Sequence, residues 1–385
     1  MAISAELTAA TARFKHWMVE QALPLWSTVG IDPTTGGVFE RLNADGTPDN
    51  ACNKRVRVQS RQQFVFAYAA HQGWMQNAKE VNQGIENFME KFASRPDLPG
   101  IYMHLLDADN QVIDARQDLY DIAFFLLASA YQYQLTNENH YLERANHILK
   151  YINTHFKQAP GGWTEGDYAY QERRQNPHMH LFEAFLALYE ITNDGKWLAK
   201  AGEIYCLFET RFYDHDKQIL LEFFQQDWQP VSNDRGELSE PGHMMEWVWL
   251  LRKYQQFTQT PVDTICTSLY EKTLAIGRDE QSGLLFDETT LDGKVTKPTK
   301  RLWPITELIK ANIAQAQAGD KSYEEKAADA INLLFKYYIS DTVKGAYVDQ
   351  LDENNQVCMD MAPASTLYHL MLACAEAVRY CNQAR

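Results

Sequence analysis

The sequence predicts an all-α protein, a closed (α/α)6 barrel made of six helical hairpins in one catalytic domain spanning residues 1–385. Three observations lead there. Stretches such as "LYDIAFFLLASAYQYQ", "YLERANHILKYINTHF" and "WLAKAGEIYCLFETRF" place apolar residues at i, i+3, i+4 and i+7, the stripe of an amphipathic helix. A shift of 56 residues superposes Tyr133, Thr136, Asn137, Tyr141, Ala145 and Ile148 on Tyr189, Thr192, Asn193, Trp197, Ala201 and Ile204, which marks a repeating two-helix unit. Helix starts then recur at nearly constant spacing.

Taken in order, the first of these starts is expected at "QSRQQFVFAY" with Ser60 as the polar cap, and the second at "QDLYDIAFFL" on Asp118. Both are residue types whose side chain can accept a hydrogen bond from an unpaired N–H of the first turn. The remaining four carry proline: "NPHMHLFEAF" (Pro177), "EPGHMMEWVW" (Pro241), "LWPITELIKA" (Pro304) and "APASTLYHLM" (Pro363), at intervals of 64, 63 and 59 residues. Proline suits a first helical position because the N–H it lacks would be unpaired there anyway. With a second helix between each pair, twelve helices form six hairpins, and six parallel inner helices bring their N-termini to one mouth.

Composition narrows the function. The chain has 36 Lys and Arg against 51 Asp and Glu, a formal net charge of −15, which repels phosphate backbones and anionic bilayers. Neither nucleic acid nor membrane is an expected partner; a neutral small molecule is. The opening "MAISAELTAATARF" lacks the basic and apolar regions of a signal peptide, and nowhere do about 18 apolar residues run together. Six scattered cysteines without a C-x-x-C pair read as reduced thiols. A cytoplasmic protein, monomeric or homodimeric, is expected.

The first turns of the six inner helices hold Arg61; Asp118, Tyr120 and Asp121; Asn176, His178 and His180; His243 and Glu246; Trp303 and Glu307; and His369. Singly each has an ordinary structural explanation, as a cap, a hydrogen-bonded core histidine or half of a capping box. Together they gather polar and aromatic chemistry at one mouth. Helix N-termini carry positive partial charge, which disfavours imidazolium and stabilises an anion in the cavity. Neutral histidines facing a developing oxyanion suit proton abstraction next to a carbonyl.

The segments "QSRQ", "RQDLYDIAFFLLA", "NPHMHLFEAFLALYE", "EPGHMMEWVWLL", "RLWPITEL" and "LYHLMLACA" together resemble the acylglucosamine 2-epimerase superfamily, whose members include sugar 2-epimerases and mannose isomerases on an (α/α)6 barrel. The resemblance implies that His369 shuttles the proton at C2 and that His243 is a second acid/base oriented by Glu246. It also implies that His180 and Asn176 contact the sugar and assist ring opening, that Arg61 stabilises the enediolate oxygen, and that Tyr120 touches substrate. Trp303, Glu307, Asp118 and Arg57 join the expected substrate-binding set, Arg57 standing where many members of the superfamily carry a tryptophan.

The expected activity is therefore metal- and cofactor-independent interconversion of a free aldose and ketose, D-mannose and D-fructose foremost, through a cis-enediolate. A 2-epimerase of the cellobiose or N-acylglucosamine type is the nearest alternative; the "LML" after His369 lacks the arginine shared by epimerases. Three further classes are an inverting glycosidase using Glu246 with Glu307 or Asp118, a metal-dependent isomerase using His178, His180, His243 and Glu246, and a non-catalytic binding protein. No G-x-x-x-x-G-K phosphate loop occurs.

Overall fold

A computed structural model describes residues 3–383. Its helices are α1 (Ala5–Trp17), α2 (Leu23–Thr28), α3 (Val56–His71), α4 (Ala78–Phe92), α5 (Leu119–Thr136), α6 (Asn139–His155), α7 (Gln175–Thr192), α8 (Gly195–Leu207), α9 (Pro241–Thr258), α10 (Asp263–Gly277), α11 (Trp303–Gln317), α12 (Ser322–Tyr337) and α13 (Ala364–Gln383). Helix α3 packs on α5, α5 on α7, α7 on α9, α9 on α11, α11 on α13, and α13 returns to α3, closing an inner ring. Helices α4, α6, α8, α10 and α12 each pack outside the inner helix that precedes them, and α1 takes the sixth outer place against α12 and α13. The protein is an (α/α)6 barrel.

Burial follows from this layering. Inner helices are covered on nearly every side, as along α5 from Asp121 to Gln132, whereas outer helices bury a single stripe, as Tyr141, Ala145, Ile148 and Ile152 do on α6. Ile148 and Ile152 each contribute on the order of 1.5–3 kcal/mol. The repeated Thr-Asn pair also gains a structural meaning: Asn137 and Asn193 adopt left-handed φ of 57° and 53° as C-caps of α5 and α7, a conformation asparagine tolerates better than most residues.

Three expectations change. Helix α3 starts at Val56, not at Ser60, which is buried within it; the true cap is extended Arg55, whose N–H and guanidinium both bond Glu40. Helix α7 starts at Gln175, with Pro177 third. The chain also holds short strands where only helix and loop were expected, because ladders of two or three residues are too short to show a period-2 pattern. Lys54–Arg55 pairs with Leu105–Leu106, Arg173–Arg174 with Phe223–Phe224, Leu238–Ser239 with Glu288–Thr290, Lys300–Arg301 with Gln350–Leu351, and Ala362–Pro363 with Arg41–Leu42. Each ladder ties the residues before an inner helix to the loop of the next unit, and before α5 a single bridge, Asp118 to Gly166, does the same, so the mouth is stitched all the way round.

Candidate active site

A cavity of about 330 Å³ opens at that mouth, lined by Arg61, Tyr120, Asn176, His180, His243, Glu246, Trp303 and His369 among others. Two layers build it. Tyr120 and Asn176 are second in their helices, His243 third and Trp303 first, whereas Arg61, His180, Glu246 and His369 are each sixth. With a rise of 1.5 Å per residue the second set lies roughly 5–7 Å deeper.

His243 and His369 flank Trp303, with ring-centroid separations of 5.2 and 5.8 Å. The Pro-Gly that opens α9 permits this: a Cβ on Gly242 would lie 2.4 Å from the Trp303 ring, so a larger residue would push the indole off His243. Nδ1 of His369 lies 2.8 Å from Glu307 Oε1, and burial, with Arg61 and Lys310 nearby, holds its pKa well below the usual value. A neutral ring donating Nδ1–H to Glu307 leaves the Nε2 lone pair for the cavity. His243 is the opposite case. Burial alone would lower its pKa, but the charges of Glu222 and Glu240 and the Glu222 hydrogen bond raise it to about 10.

Helix ends therefore do not keep every histidine neutral, and the expected orienting partner of His243 is corrected. Its Nδ1 sits 3.1 Å from both oxygens of Glu222, whereas Glu246, a turn deeper, comes within 3.9 Å of His180. One helical turn sets Glu246 below the ring of His243 rather than beside its Nδ1. His180 bonds Glu183 at 3.2 Å, and burial lowers its pKa to about 4. Glu246 is pushed well above the usual carboxylate range by burial and by the charge of Glu307.

Arg61 donates to the Tyr120 hydroxyl at 2.6 Å and lies over the Phe124 ring at 4.1 Å. Asn176 Oδ1, Arg61 Nε and Glu246 Oε1 are buried without a hydrogen-bond partner among the described residues, and all three belong to residues that line the cavity. Lys310, fully buried, pairs with Glu307 at 2.6 Å, and Tyr368 donates to Glu183.

Other expected residues stand elsewhere. Asp118 caps α5 and accepts from Tyr168 at 2.6 Å, in a neighbouring surface pocket. Arg57 is tied to Asp121 at 2.9 Å and does not line the cavity. Glu307 lies behind His369. His178 accepts from the Trp163 N–H at 3.1 Å and packs on Trp228, a structural role; burial drops its pKa to about 3. His180, Glu183 and Glu246 could together contribute a cation's ligands; Glu183 also accepts from Tyr368 and is bonded to His180.

Sequence reasoning missed Glu183, Glu222, Lys310 and Tyr368. Glu222 had a signal. An apolar stretch ending in an acid or histidine recurs at "GVFE", "IYMH", "GWTE", "ILLE", "LLFD" and "AYVD", placing Glu40, His104, Glu165, Glu222, Asp287 and Asp349 at intervals of 57 to 65 residues. In alternate units this residue pairs with an arginine beside the next inner-helix start: Glu40 with Arg55, Glu165 with Arg174, Asp287 with Arg301. In the others it meets the third residue of that helix: His104 with Asp121, Glu222 with His243, Asp349 with Thr366. The barrel mouth is thus pseudo-threefold.

A family model described as N-acylglucosamine 2-epimerase (GlcNAc 2-epimerase) matches residues 37–373. A Rhizobium meliloti (strain 1021) protein named mannose-6-phosphate isomerase is 33% identical over 372 residues, 94% of each chain. A protein of Marinomonas mediterranea (strain ATCC 700492 / JCM 21426 / NBRC 103028 / MMB-1) named D-mannose isomerase is 26% identical over 392 residues, 94% of this chain and 95% of that one. The solved cellobiose 2-epimerase of Bacillus thermoamylovorans B4167 superposes with a TM-score of 0.86 at 18% identity, covering 97% of this chain and 99% of that one. With histidines, an arginine and a tryptophan meeting at the mouth of this barrel, the chain belongs to the N-acylglucosamine 2-epimerase family.

Proposed function

We infer that the barrel acts as one catalytic unit, an aldose–ketose isomerase that converts free D-mannose to D-fructose without a metal. The observation that carries this reading is the pairing of a neutral histidine and a cationic histidine across one small cavity. His243 Nε2–H protonates the ring oxygen while the O1 hydroxyl gives up its proton to solvent, and the pyranose opens to the aldehyde; His369 Nε2 then removes the C2 proton. Arg61 and the helix N-termini stabilise the enediolate oxygen; the O2 hydroxyl proton then passes to O1 as His369 returns its proton to C1. Tyr120, Asn176 and Trp303 hold the sugar. A cavity of about 330 Å³ is at the small end of the ~300–1,000 Å³ range of ligand sites, which favours a monosaccharide over a disaccharide. The relative named D-mannose isomerase agrees with a free sugar, and the one named mannose-6-phosphate isomerase agrees with a mannose-type aldose. Exposed thiols at Cys206 and Cys358 suit a reducing, cytoplasmic setting.

A 2-epimerase is the second reading, because His243 and His369 on either side of Trp303 also provide the acid on the far face that inversion at C2 demands. Incubation of the pure protein with mannose, glucose, fructose, lyxose and cellobiose, with products separated by chromatography, tests both. Fructose from mannose is the expected result; hydrolysis of cellobiose, or no conversion of any sugar, would defeat the reading.

A further inference from the structure

Asp349 is the odd member of the six-unit ring. In the other five units the equivalent residue bonds a group of the opposite kind, an arginine or half of an acid–histidine pair. The third residue of α13 is instead Thr366, whose hydroxyl reaches Asp349 Oδ1 only at 3.4 Å, and the residue before that helix is Pro363 rather than an arginine. Asp349 nevertheless lines the cavity. Its backbone is fixed, with the Asp349 N–H bonded to Met359 O at 3.0 Å and the Leu302 N–H bonded to Asp349 O at 2.8 Å.

The cations around Asp349 are already committed. Arg55 is bonded to Glu40. Arg301 is bonded to Asp287 at 3.1 Å and to Glu240 at 3.3 Å. The cavity-lining guanidinium without a carboxylate partner among the described residues is that of Arg61, a layer deeper beside the histidines. The cavity is therefore polarised, with an uncompensated cation at the reacting end and an undercoordinated carboxylate at the rim.

We propose that Asp349 is a specificity-determining residue that accepts hydrogen bonds from the hydroxyls of the sugar's end remote from C1 and C2, and that it disfavours a phosphate or other anion there. This rests on the isomerase reading above, which sets C1 and C2 against His369 and Arg61. A carboxylate accepts from two adjacent hydroxyls at once. A phosphate dianion in the same place would meet like charge, and the two arginines that line the cavity beside Asp349 are already bonded to carboxylates, Arg55 to Glu40 and Arg301 to Asp287 and Glu240. Burial holds Asp349 above its usual pKa, Arg301 and Thr366 opposing, as expected of a carboxylate short of partners.

The test compares kcat and KM for D-mannose and D-mannose 6-phosphate in the wild-type protein and in Asp349→Asn, with melting curves to verify folding and Asp349→Ser as the substitute should the asparagine variant not fold. Wild type should prefer D-mannose by at least about a hundredfold in kcat/KM. Asp349→Asn should raise KM for D-mannose roughly tenfold, leave kcat within about threefold, and narrow the preference over the phosphate. An unchanged KM in the folded variant, or a wild type that turns over the phosphate as well as mannose, would overturn the proposal. Should no sugar turn over at all, the isomerase reading fails instead; D-mannose binding by calorimetry, expected to weaken in Asp349→Asn and unchanged if Asp349 plays no part, then decides on Asp349 alone.

Discussion

His243 and His369 stand on either side of Trp303, their ring centroids 5.2 and 5.8 Å from the indole, in opposite protonation states. The difference originates behind the rings. Glu222 and Glu240 act on one; the other is buried, bonded to Glu307 and close to Arg61 and Lys310.

His369→Ala and His243→Ala should each lower kcat by about 10²–10⁴-fold, the usual contribution of a general acid or base, in proteins that melt as wild type does. Near-normal kcat in a folded His369→Ala protein would refute the assignment.

Activity should persist well below pH 6.5, because His369 stays neutral there, and should fall on the alkaline side as His243 deprotonates near pH 10. Glu222→Gln removes the leading charge that raises His243, so its alkaline limb should move towards neutrality. The linked stability has a definite sign. The folded pKa of His243 is raised, so its contribution is full below the unfolded value of about 6.5 and is lost as pH rises through about 10. An unmoved alkaline limb in the pH–rate profile of Glu222→Gln would contradict this account.

Exhaustive EDTA treatment should leave turnover largely intact. Among the described residues, the three that could group around a cation, His180, Glu183 and Glu246, include a histidine bonded to Glu183 and a glutamate that also accepts from Tyr368. Loss of activity restored by a divalent ion would remove the histidine mechanism.

In D₂O with D-mannose, early NMR spectra should show fructose first, with deuterium at C1 only as far as His369 exchanges with solvent. Glucose appearing first, with nearly full deuterium at C2, would favour the epimerase.

Lys310 is buried beside Glu307, with Glu246 and Glu183 close enough to raise its pKa against burial. Lys310→Met should cost about 3–5 kcal/mol, the usual loss when one partner of a buried ion pair is removed. The loss should be larger at pH 8 than at pH 5, since the stranded carboxylates fold more readily when protonated. Thermal melts at the two pH values check both the size and the direction.

Helix faces and the sixfold spacing were legible because they rest on local periodicity: the apolar stripe of α6 and the Thr-Asn caps of α5 and α7 are written within one or two turns. Arg61, Tyr120, Asn176, His180, His243, Trp303 and His369 were legible for the same reason, since inner-helix first turns converge wherever the barrel closes. The charge relations were not. Glu222 lies 21 residues before His243, Glu307 lies 62 before His369, and Tyr368 lies 185 beyond Glu183. Those pairs exist only once the ring is shut, so the sequence offered only the near neighbour Glu246, one turn on, as the partner of His243.

The sixth outer place, filled by α1, gives the ring a seam. Elsewhere each outer helix follows its inner helix directly in the chain, but here Ser4 N–H reaches Glu324 across 320 residues and Arg13 reaches Asn332 across 319. Closing that seam has the largest loop entropy of any step, although the cost grows only logarithmically with length. Five hairpins can therefore assemble by neighbour contacts while the barrel is still an open crescent, with the α3–α13 edge unmade and Arg61 apart from His369. The catalytic cavity forms only with the final closure, and a circular permutant that joins α13 to α1 and opens the chain between two other hairpins would move the seam without moving a single residue of the mouth.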